Sequence, residues 1–267
     1  MDPRRASYRE FEGLAHRLAD AAGLVQRRYF RTPVAVDVKP DSSPVTVADR
    51  EAEAAMRELI RTAYPDHGIL GEEHGRERLD AEFVWVLDPI DGTKSFITGR
   101  PLFGTLIALA HAGRPVLGII DQSILAERWL GLAGEGAWWN GRPARTRACA
   151  ALADATLYCT SPRMFATPAE KAGFAAVESA VRLPMYGGDC YAYGLLASGF
   201  ADLVVEASLA PYDYMALVPI VEGAGGRITG SSARSTAASA WTPSSSGCST
   251  RSTAPSRSSP AGRCSAP

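Results

Sequence analysis

The stretch "DPIDGT" at residues 88–93 places two carboxylates three positions apart, directly after an apolar run. Pro89 fixes its own φ at about −65° and has no N–H, so we expect the strand to end there and Asp88 and Asp91 to converge. Two neighbouring anions repel each other unless a cation lies between them, and hard oxygen ligands of this kind suit Mg²⁺. An isolated D-x-x-D pattern is more typical of a turn with a capping aspartate, but the apolar strand before it and Gly-Thr after it favour a metal site.

Small and acidic residues elsewhere could complete such a site. Gly92 and Thr93 offer compact backbone that can hold a phosphate where a helix begins. Glu72 and Glu73 close another short predicted strand, where a solvated turn is the alternative interpretation. Asp49 lies three residues after Thr46 in the first turn of a predicted helix, where a negative charge is favourable in any case.

Asp213 lies near the start of the largely apolar segment "APYDYMALVPIVEGAGG", whose other acid is Glu222. The first turn of a helix also explains an aspartate at this position. The acids are therefore weak indicators singly, and their combination forms the argument for a metal site.

The hydrophobic pattern predicts the elements that position these acids. Apolar spacing predicts helices over residues 7–30 and 47–63, the second ending before Pro65. Strand patterns cover 33–39, "GILGEEHG", "FVWVLD" and a meander over 103–144, with turns at 112–115 and 140–141. The second half alternates between strands and helices and closes with a helix over 212–225 and a strand "GRIT".

Composition changes twice along the 267 residues. We predict an N-terminal α+β subdomain over 1–145 with most metal ligands, and a C-terminal α/β subdomain over 146–230 that completes the site. Residues 231–267 are rich in Ser, Ala, Arg and Pro and contain almost nothing apolar to bury, which predicts disorder. A shifted reading frame explains this segment better than a natural flexible tail, and resequencing the gene would decide between the two.

Charge and cysteine usage exclude several classes of protein. A net charge of −1 gives no indication of nucleic acid or a membrane surface as a partner. The five cysteines form no CxxC pair, which argues against a zinc knuckle or a disulfide framework. The first ten residues have no apolar core of a signal peptide, so we expect a cytoplasmic protein.

Together, "GEE" at 71–73, "DPIDGT" at 88–93 and "YDYMALVPIVEGAGG" at 212–226 resemble the inositol monophosphatase family of metal-dependent phosphatases. The resemblance implies a layered α/β (α+β) fold, an αβαβα sandwich with two packed subdomains, and a homodimer. It also implies two or three Mg²⁺ ions, held by Glu72, Asp88, the Ile90 carbonyl, Asp91 and Asp213.

The resemblance also implies the course of the reaction. A phosphate lies on the Gly92 and Thr93 backbone, and a metal-activated water attacks it. Thr93 and Asp49 orient and deprotonate this water, with Glu72 counted among the catalytic residues. No protein nucleophile is needed, since two or three divalent ions neutralise the phosphate and stabilise the leaving group.

Within the family, "GTKSFITGRPLFGTLIAL" and "GGDCYAYGLLASG" are most similar to histidinol-phosphate phosphatases. This similarity implies hydrolysis of L-histidinol phosphate in histidine biosynthesis. Histidinol has an ammonium and an imidazole, so its pocket should contain additional acids, and Asp189 and Glu206 are the candidates. A polyol also accepts carboxylates as hydrogen-bond partners, so inositol 1-phosphate and other small sugar or nucleotide phosphates stay open. A non-catalytic regulatory protein on the same fold ranks below these alternatives.

Overall fold

A computed structural model of the chain describes residues 8–39 and 44–230. The elements of the first part are a 3₁₀ helix (Tyr8–Phe11), α1 (Glu12–Tyr29), β1 (Val36–Val38), β2 (Pro44–Thr46), α2 (Val47–Ala63), β3 (Gly68–Gly71), β4 (Gly75–Glu77), β5 (Phe83–Asp91), α3 (Thr93–Ile97), β6 (Gly104–His111), β7 (Arg114–Gln122), β8 (Glu127–Leu132), β9 (Gly136–Trp139) and β10 (Arg142–Pro143). The second part contains 3₁₀ turns at Leu152–Asp154 and Pro162–Met164 and the elements β11 (Thr156–Cys159), α4 (Pro168–Ala180), β12 (Leu183–Tyr186), α5 (Cys190–Ala197), β13 (Leu203–Val204), α6 (Pro211–Tyr214) and α7 (Leu217–Gly223).

Eight strands form the central sheet in the order β10-β9-β8-β7-β6-β5-β3-β4. Only the β3–β5 pair is parallel, so the ends of these two strands reach the same edge of the sheet. The turns at Ala112-Gly113 and Asn140-Gly141 have positive φ at both residues, as tight hairpins require. The meander predicted from the sequence is therefore present.

Helices α1 and α2 cover one face of this sheet. Their apolar stripes bury Leu18, Met56 and Ile60 against Trp85 and Ile107 of the strands. The pattern that predicts two amphipathic helices in the sequence thus also identifies the face that each helix buries.

Helices α5 and α7 cover the opposite face. Gly118 and Gly131 allow α7 to approach closely, since a Cβ at these positions would lie 2.0 Å from the Ala216 carbonyl oxygen and 2.3 Å from the Ile220 nitrogen. Beyond these helices lies a parallel sheet in the order β12-β11-β13, and α4 packs on it through Phe174. The layers are helix, sheet, helix, sheet, helix, so the predicted αβαβα fold is confirmed.

Two predicted elements differ. The helix predicted over 212–225 is two short helices, α6 and α7, because Pro219 has no N–H to donate to the Met215 carbonyl one turn earlier. The strand predicted at "GRIT" is wrong: residues 226–229 have no strand partner within the part of the chain that the structure describes, and Ile228 packs on the core instead.

Other predictions stay untested. The Ser-rich segment 231–267 and residues 1–7 lie outside the described residues, and the division at residues 145 and 146 stays a prediction. Within residues 8–39 and 44–230, no helix combines the length and apolar character required to cross a bilayer.

Candidate active site

The Asp-Pro-Ile-Asp segment lies inside strand β5. The prediction that Pro89 ends this strand is wrong, because β5 continues to Asp91 through a shift in its pairing with β6 between Asp88 and Asp91. A proline fits at such a bulge, where no N–H is needed for the ladder. The Pro89 carbonyl accepts hydrogen bonds from Gln26 Nε2 at 2.8 Å and Thr105 Oγ1 at 3.0 Å, which hold the bulge from beneath.

Three aspartates converge beside this bulge. Carboxylate oxygens of Asp88, Asp91 and Asp213 all lie within 4.8 Å of one another. The Asp213 carboxylate accepts a bond from the Ala210 N–H at 2.7 Å in the first turn of α6, and Asp91 accepts one from the Cys190 N–H at 2.5 Å. Each acid is thus fixed by backbone rather than by a cationic side chain.

The electrostatics of this cluster favour a cation. Burial raises the pKa of Asp88 and of Asp91, and the charges of Glu72 and Asp189 respectively add to the effect. Burial raises the pKa of Asp213 to about 7, although its bond from Ala210 opposes the rise. Carboxylates arranged in this way repel one another until a positive ion compensates them, and their oxygen donor set fits a hard divalent ion.

Glu72 lies next to the three aspartates but has a different partner. The Lys39 ammonium is 2.7 Å from Glu72 Oε1 and 2.5 Å from Glu73 Oε1. Burial lowers the pKa of Lys39, but its hydrogen bonds to Glu72 and Glu73 outweigh burial, so the pKa is raised. Lys39 therefore acts as a cation within the acidic site, a role that no local pattern around Lys39 predicts.

Asp49 and Thr93 meet on the other side of the cluster. Thr46 caps α2, and its N–H and Oγ1 donate to Asp49 Oδ2 at 2.8 and 2.6 Å. The free oxygen, Oδ1, faces Thr93 Oγ1 at 3.4 Å, and this hydroxyl also lies 3.1 Å from the Ile90 carbonyl. Burial raises the pKa of Asp49 despite the opposing bonds from Thr46, which makes its carboxylate a stronger base.

Gly92 joins β5 to α3 with φ of +92°. A Cβ at this position would lie 2.9 Å from Asp189 Oδ2, so both the backbone conformation and the space require glycine. Of the two predicted phosphate-binding residues, Gly92 therefore lies against Asp189, whereas Thr93 contacts Asp49 and the Ile90 carbonyl.

Asp189 and Glu206 line a cavity of about 180 Å³ beside Asp91 and Asp213. Glu206 Oε1 accepts the Thr160 hydroxyl at 2.5 Å, and Glu206 Oε2 accepts the hydroxyl of Tyr193 at 2.9 Å. Burial and the charge of Glu206 raise the pKa of Asp189 to about 6, while Ser95, Arg100 and Lys94 oppose the rise. Asp189 and Glu206, the two predicted substrate-binding residues, thus line the same acidic cavity.

A larger cavity, of about 550 Å³, lies between α1 and the β8–β9 end of the central sheet. Its lining includes Arg9 and Arg128, whose guanidinium groups pair with Glu135 and Asp121. The acids predicted to do chemistry lie elsewhere, so we place the active site at the smaller, acidic cavity.

Sequence reasoning missed several residues around the site. Gln26 supports the bulge, Thr160 and Tyr193 hold Glu206, and Lys39 pairs with Glu72. The sequence contains one signal for further site residues. Asp49, Glu53 and Arg57 follow one another at four-residue spacing, so Glu53 and Arg57 share one face of α2 with the predicted base Asp49. The remaining contacts span long distances along the chain, and local pattern does not predict them.

Comparisons with known proteins identify the family of the chain. The sequence profile of the Inositol monophosphatase family matches residues 7–258, so the chain belongs to this family. The family assignment and the assignment as a phosphoric monoester hydrolase are both confirmed. The matched range extends into the Ser-rich segment, whose origin stays a prediction.

Two curated relatives and one solved structure are notably similar. The chain is 55% identical over 221 residues to "Bifunctional phosphatase IMPL2, chloroplastic" of Arabidopsis thaliana. The alignment covers 82% of this chain and 64% of that protein. It is 39% identical over 214 residues to the histidinol-phosphatase of Chlorobaculum parvum, covering 80% and 83% of the two chains. An inositol monophosphatase structure from Zymomonas mobilis aligns with a TM-score of 0.75 and 52% identity, covering 83% and 85%.

Proposed function

We propose that this protein is a Mg²⁺-dependent phosphomonoesterase that hydrolyses L-histidinol phosphate to L-histidinol and phosphate. One observation supports this substrate above the others: beside the proposed metal ligands Asp91 and Asp213, the cavity is lined by two further carboxylates, Asp189 and Glu206. Among the residues that the structure describes, no Lys, Arg or His lines this cavity. Such a pocket favours a leaving group that is positively charged.

The proposed ligands of Mg²⁺ are Asp88, Asp91, Asp213, Glu72 and the Ile90 carbonyl. Once bound, divalent ions neutralise the phosphate, lower the pKa of a water molecule and stabilise the developing alkoxide. The protein's part is to hold the ligands at fixed positions, which it does through the β5 bulge and the first turn of α6. Binding requires Lys39 to leave or share Glu72, since both cations would otherwise compete for one carboxylate.

Asp49 and Thr93 provide a route for the proton. The Thr93 hydroxyl lies within reach of Asp49 Oδ1, so it can accept a proton from an attacking water while it donates its own to Asp49. Because Asp49 Oδ2 is occupied by two bonds from Thr46, only Oδ1 is available for this transfer. The bonds from Thr46 thereby fix the orientation of the base.

Glu206 and Asp189 are proposed to bind the amine and imidazole of the substrate. Thr160 and Tyr193 each donate to a different oxygen of Glu206, so this carboxylate is ordered before the substrate arrives. An ordered carboxylate forms a charge-assisted hydrogen bond with an ammonium group, which is about twice as strong as a neutral one. The relatives named histidinol-phosphatase support the same substrate.

Inositol 1-phosphate is the second candidate. The Zymomonas mobilis structure that is 52% identical to this chain is named an inositol monophosphatase, and carboxylates also accept hydrogen bonds from a polyol. A homodimer and a cytoplasmic location are also part of the proposal. The first rests on the family resemblance, and the second on five cysteines that form no CxxC pair.

Phosphate release tests the proposal. We expect the purified protein with Mg²⁺ to hydrolyse histidinol phosphate at least ~10-fold faster than inositol 1-phosphate, measured as kcat/KM, and EDTA to abolish both activities. Asp91→Asn should remove turnover of both substrates. A preference for the inositol ester would refute the substrate assignment, and release that is insensitive to EDTA would refute the metal mechanism.

Variants at the cavity sharpen the test. Glu206→Gln should lower kcat/KM for histidinol phosphate by ~10–100-fold, because a bond to a charged group contributes about 1.5–3 kcal/mol. The loss for inositol 1-phosphate should be several-fold smaller. Glu222→Gln, at an exposed position on α7, is the matched control and should change neither value.

A further inference from the structure

Helix α2 has a row of charged side chains on its buried face. Asp49, Glu53 and Arg57 lie four residues apart and have exposed fractions of 1%, 0% and 4%. Burying charged groups is unfavourable unless each one is paired and hydrogen-bonded. Asp49 belongs to the proposed proton route, which leaves the role of the other two to be explained.

Glu53 binds the loop that follows strand β3. Its Oε2 accepts the Glu73 N–H at 2.7 Å, and its Oε1 accepts the His74 N–H at 3.1 Å. The contact is close, since a Cβ at Gly71 would lie 1.9 Å from Glu53 Oε1. The carboxylate of Glu53 therefore replaces the backbone partners that this loop lacks.

Arg57 completes the arrangement one turn further along α2. Its Nε donates to Glu53 Oε1 at 2.7 Å, and its Nη2 donates to the Gly75 carbonyl. Its Nη1 is also 3.6 Å from Glu77 of strand β4. Helix α2 thus fixes the loop between β3 and β4 at Glu73, His74 and Gly75.

This loop contains Glu72, the predicted metal ligand that lies beside Asp88. The Glu72 N–H donates to the Leu87 carbonyl of β5 at 3.2 Å, so the loop is held by the sheet on one side and by Glu53 on the other. Because α2 also positions Asp49, one helix determines the separation between the proposed base and a proposed metal ligand.

We infer that Glu53 is a positioning residue that sets the metal affinity of the site by holding the loop of Glu72 against helix α2. This inference rests on the proposed function. Stability alone does not account for the charges, because a buried ion pair contributes little more than an apolar pair of the same volume. Two backbone N–H groups that face Glu53 do account for an anion at this position.

Metal binding by the metal-stripped full chain tests the inference. We expect Glu53→Gln to weaken Mg²⁺ binding, measured by isothermal titration calorimetry, by ~10–100-fold, as for other residues that orient a ligand. A glutamine keeps the size of the side chain but has one acceptor oxygen, whereas the donors around Glu53 use both of its carboxylate oxygens. Glu58→Gln, on the exposed face of the same helix, is the matched control and should leave the Kd unchanged.

A double-mutant cycle separates positioning from a merely structural role. If Glu53 acts through Glu72, Glu53→Gln should change the Kd less than twofold in a Glu72→Gln background. Glu53→Asp, which retains a charge for Arg57 but shortens the side chain, should weaken binding in the same way and serves if Glu53→Gln does not fold.

Two results would overturn the inference. One is a folded Glu53 variant whose Mg²⁺ Kd stays within twofold of the wild-type value. The other is a Glu53 substitution that weakens Mg²⁺ binding as much in the Glu72→Gln background as in the wild-type protein. The proposed function is judged separately, since it depends on phosphate release and not on these ratios. An unchanged protein that binds no Mg²⁺ would refute both.

Discussion

Replacing Asp213 by asparagine should stabilise the protein when metal is absent and destroy the site when metal is present. Burial raises the pKa of Asp213 to about 7 from the ordinary value of 3.8, and neighbouring acids including Glu72 and Glu206 add to the rise. An asparagine retains the oxygen that accepts the Ala210 N–H at 2.7 Å. The substitution therefore removes the charge while keeping the cap of helix α6.

The size of the effect follows from proton linkage. A carboxyl group whose folded pKa is raised contributes stability at low pH, and this contribution is lost as pH rises towards the folded pKa. Each pH unit between the unfolded value of 3.8 and the folded value of about 7 corresponds to about 1.4 kcal/mol. At pH 5.5 Asp213 is ionised in the unfolded chain but protonated in the folded protein, which reduces the free energy of unfolding by about 2 kcal/mol. At pH 8, where Asp213 is ionised in both states, the reduction is about 4 kcal/mol.

Denaturant unfolding in EDTA measures this difference directly. We expect the Asp213→Asn variant to be more stable than the unchanged protein at both pH values, with an advantage that is larger by about 2 kcal/mol at pH 8 than at pH 5.5. Titrating groups far from Asp213 are common to both proteins, so their contributions cancel in the comparison. Besides burial, the Asp213 charge raises the pKa values of Asp88 and Asp91, so relieving them adds to the advantage in the same direction.

Saturating Mg²⁺ should reverse the order at pH 8, since a bound ion stabilises only the protein that has all its ligands. An Asp213→Asn variant that is less stable than the unchanged protein in EDTA at pH 8 would refute the reasoning. So would an advantage that does not grow with pH.

Two further predictions concern the fold. Gly131→Ala should lower the free energy of unfolding by ~1–3 kcal/mol in thermal denaturation, because the new Cβ would lie 2.3 Å from the Ile220 nitrogen. Gly13→Ala is the control: a Cβ there has no atom within 4 Å, so this variant should be neutral or stabilised by up to ~1 kcal/mol. His67 should make the protein less stable as pH falls below about 6.5. Burial lowers the pKa of His67 in the fold, and its Nδ1 accepts the Trp85 indole N–H at 3.2 Å. The unfolded chain therefore binds the proton at a higher pH than the folded protein does, and this favours unfolding. A His67→Gln variant should lose this part of the pH dependence in urea titrations, and an unchanged pH dependence would contradict the assignment.

The parts of the fold that were predicted correctly are those with local causes. The helix predicted over 47–63 is α2, because its apolar period, the Thr46–Asp49 cap and Pro65 all act within a few residues. The hairpin turns at Ala112-Gly113 and Asn140-Gly141 each contain a glycine, which tolerates positive φ. The family resemblance then gave the layering, which no local pattern determines.

The parts that were missed depend on contacts between distant segments. The bulge that lets β5 continue past Pro89 is held by Gln26, which lies 63 residues away in the chain. Lys39 meets Glu72 across 33 residues, so nothing in the sequence around either one indicates the pair. A proline ends a strand only if its missing N–H is needed, and that depends on the partner strand.

The arrangement of the acidic residues at this site lowers the free energy of unfolding. Asp88 and Asp91 are held at positions where burial and the charges of neighbouring acids raise the pKa of each one, and a fold selected for stability alone would separate these acids. Lys39 offsets part of this repulsion by pairing with Glu72. Since the Lys39 ammonium has one charge and a divalent ion has two, the ion should compensate the acids more fully than the lysine does. The same substitution of an acid can therefore strengthen the fold and abolish the chemistry, and that opposition is what distinguishes a metal site from an ordinary cluster of surface acids.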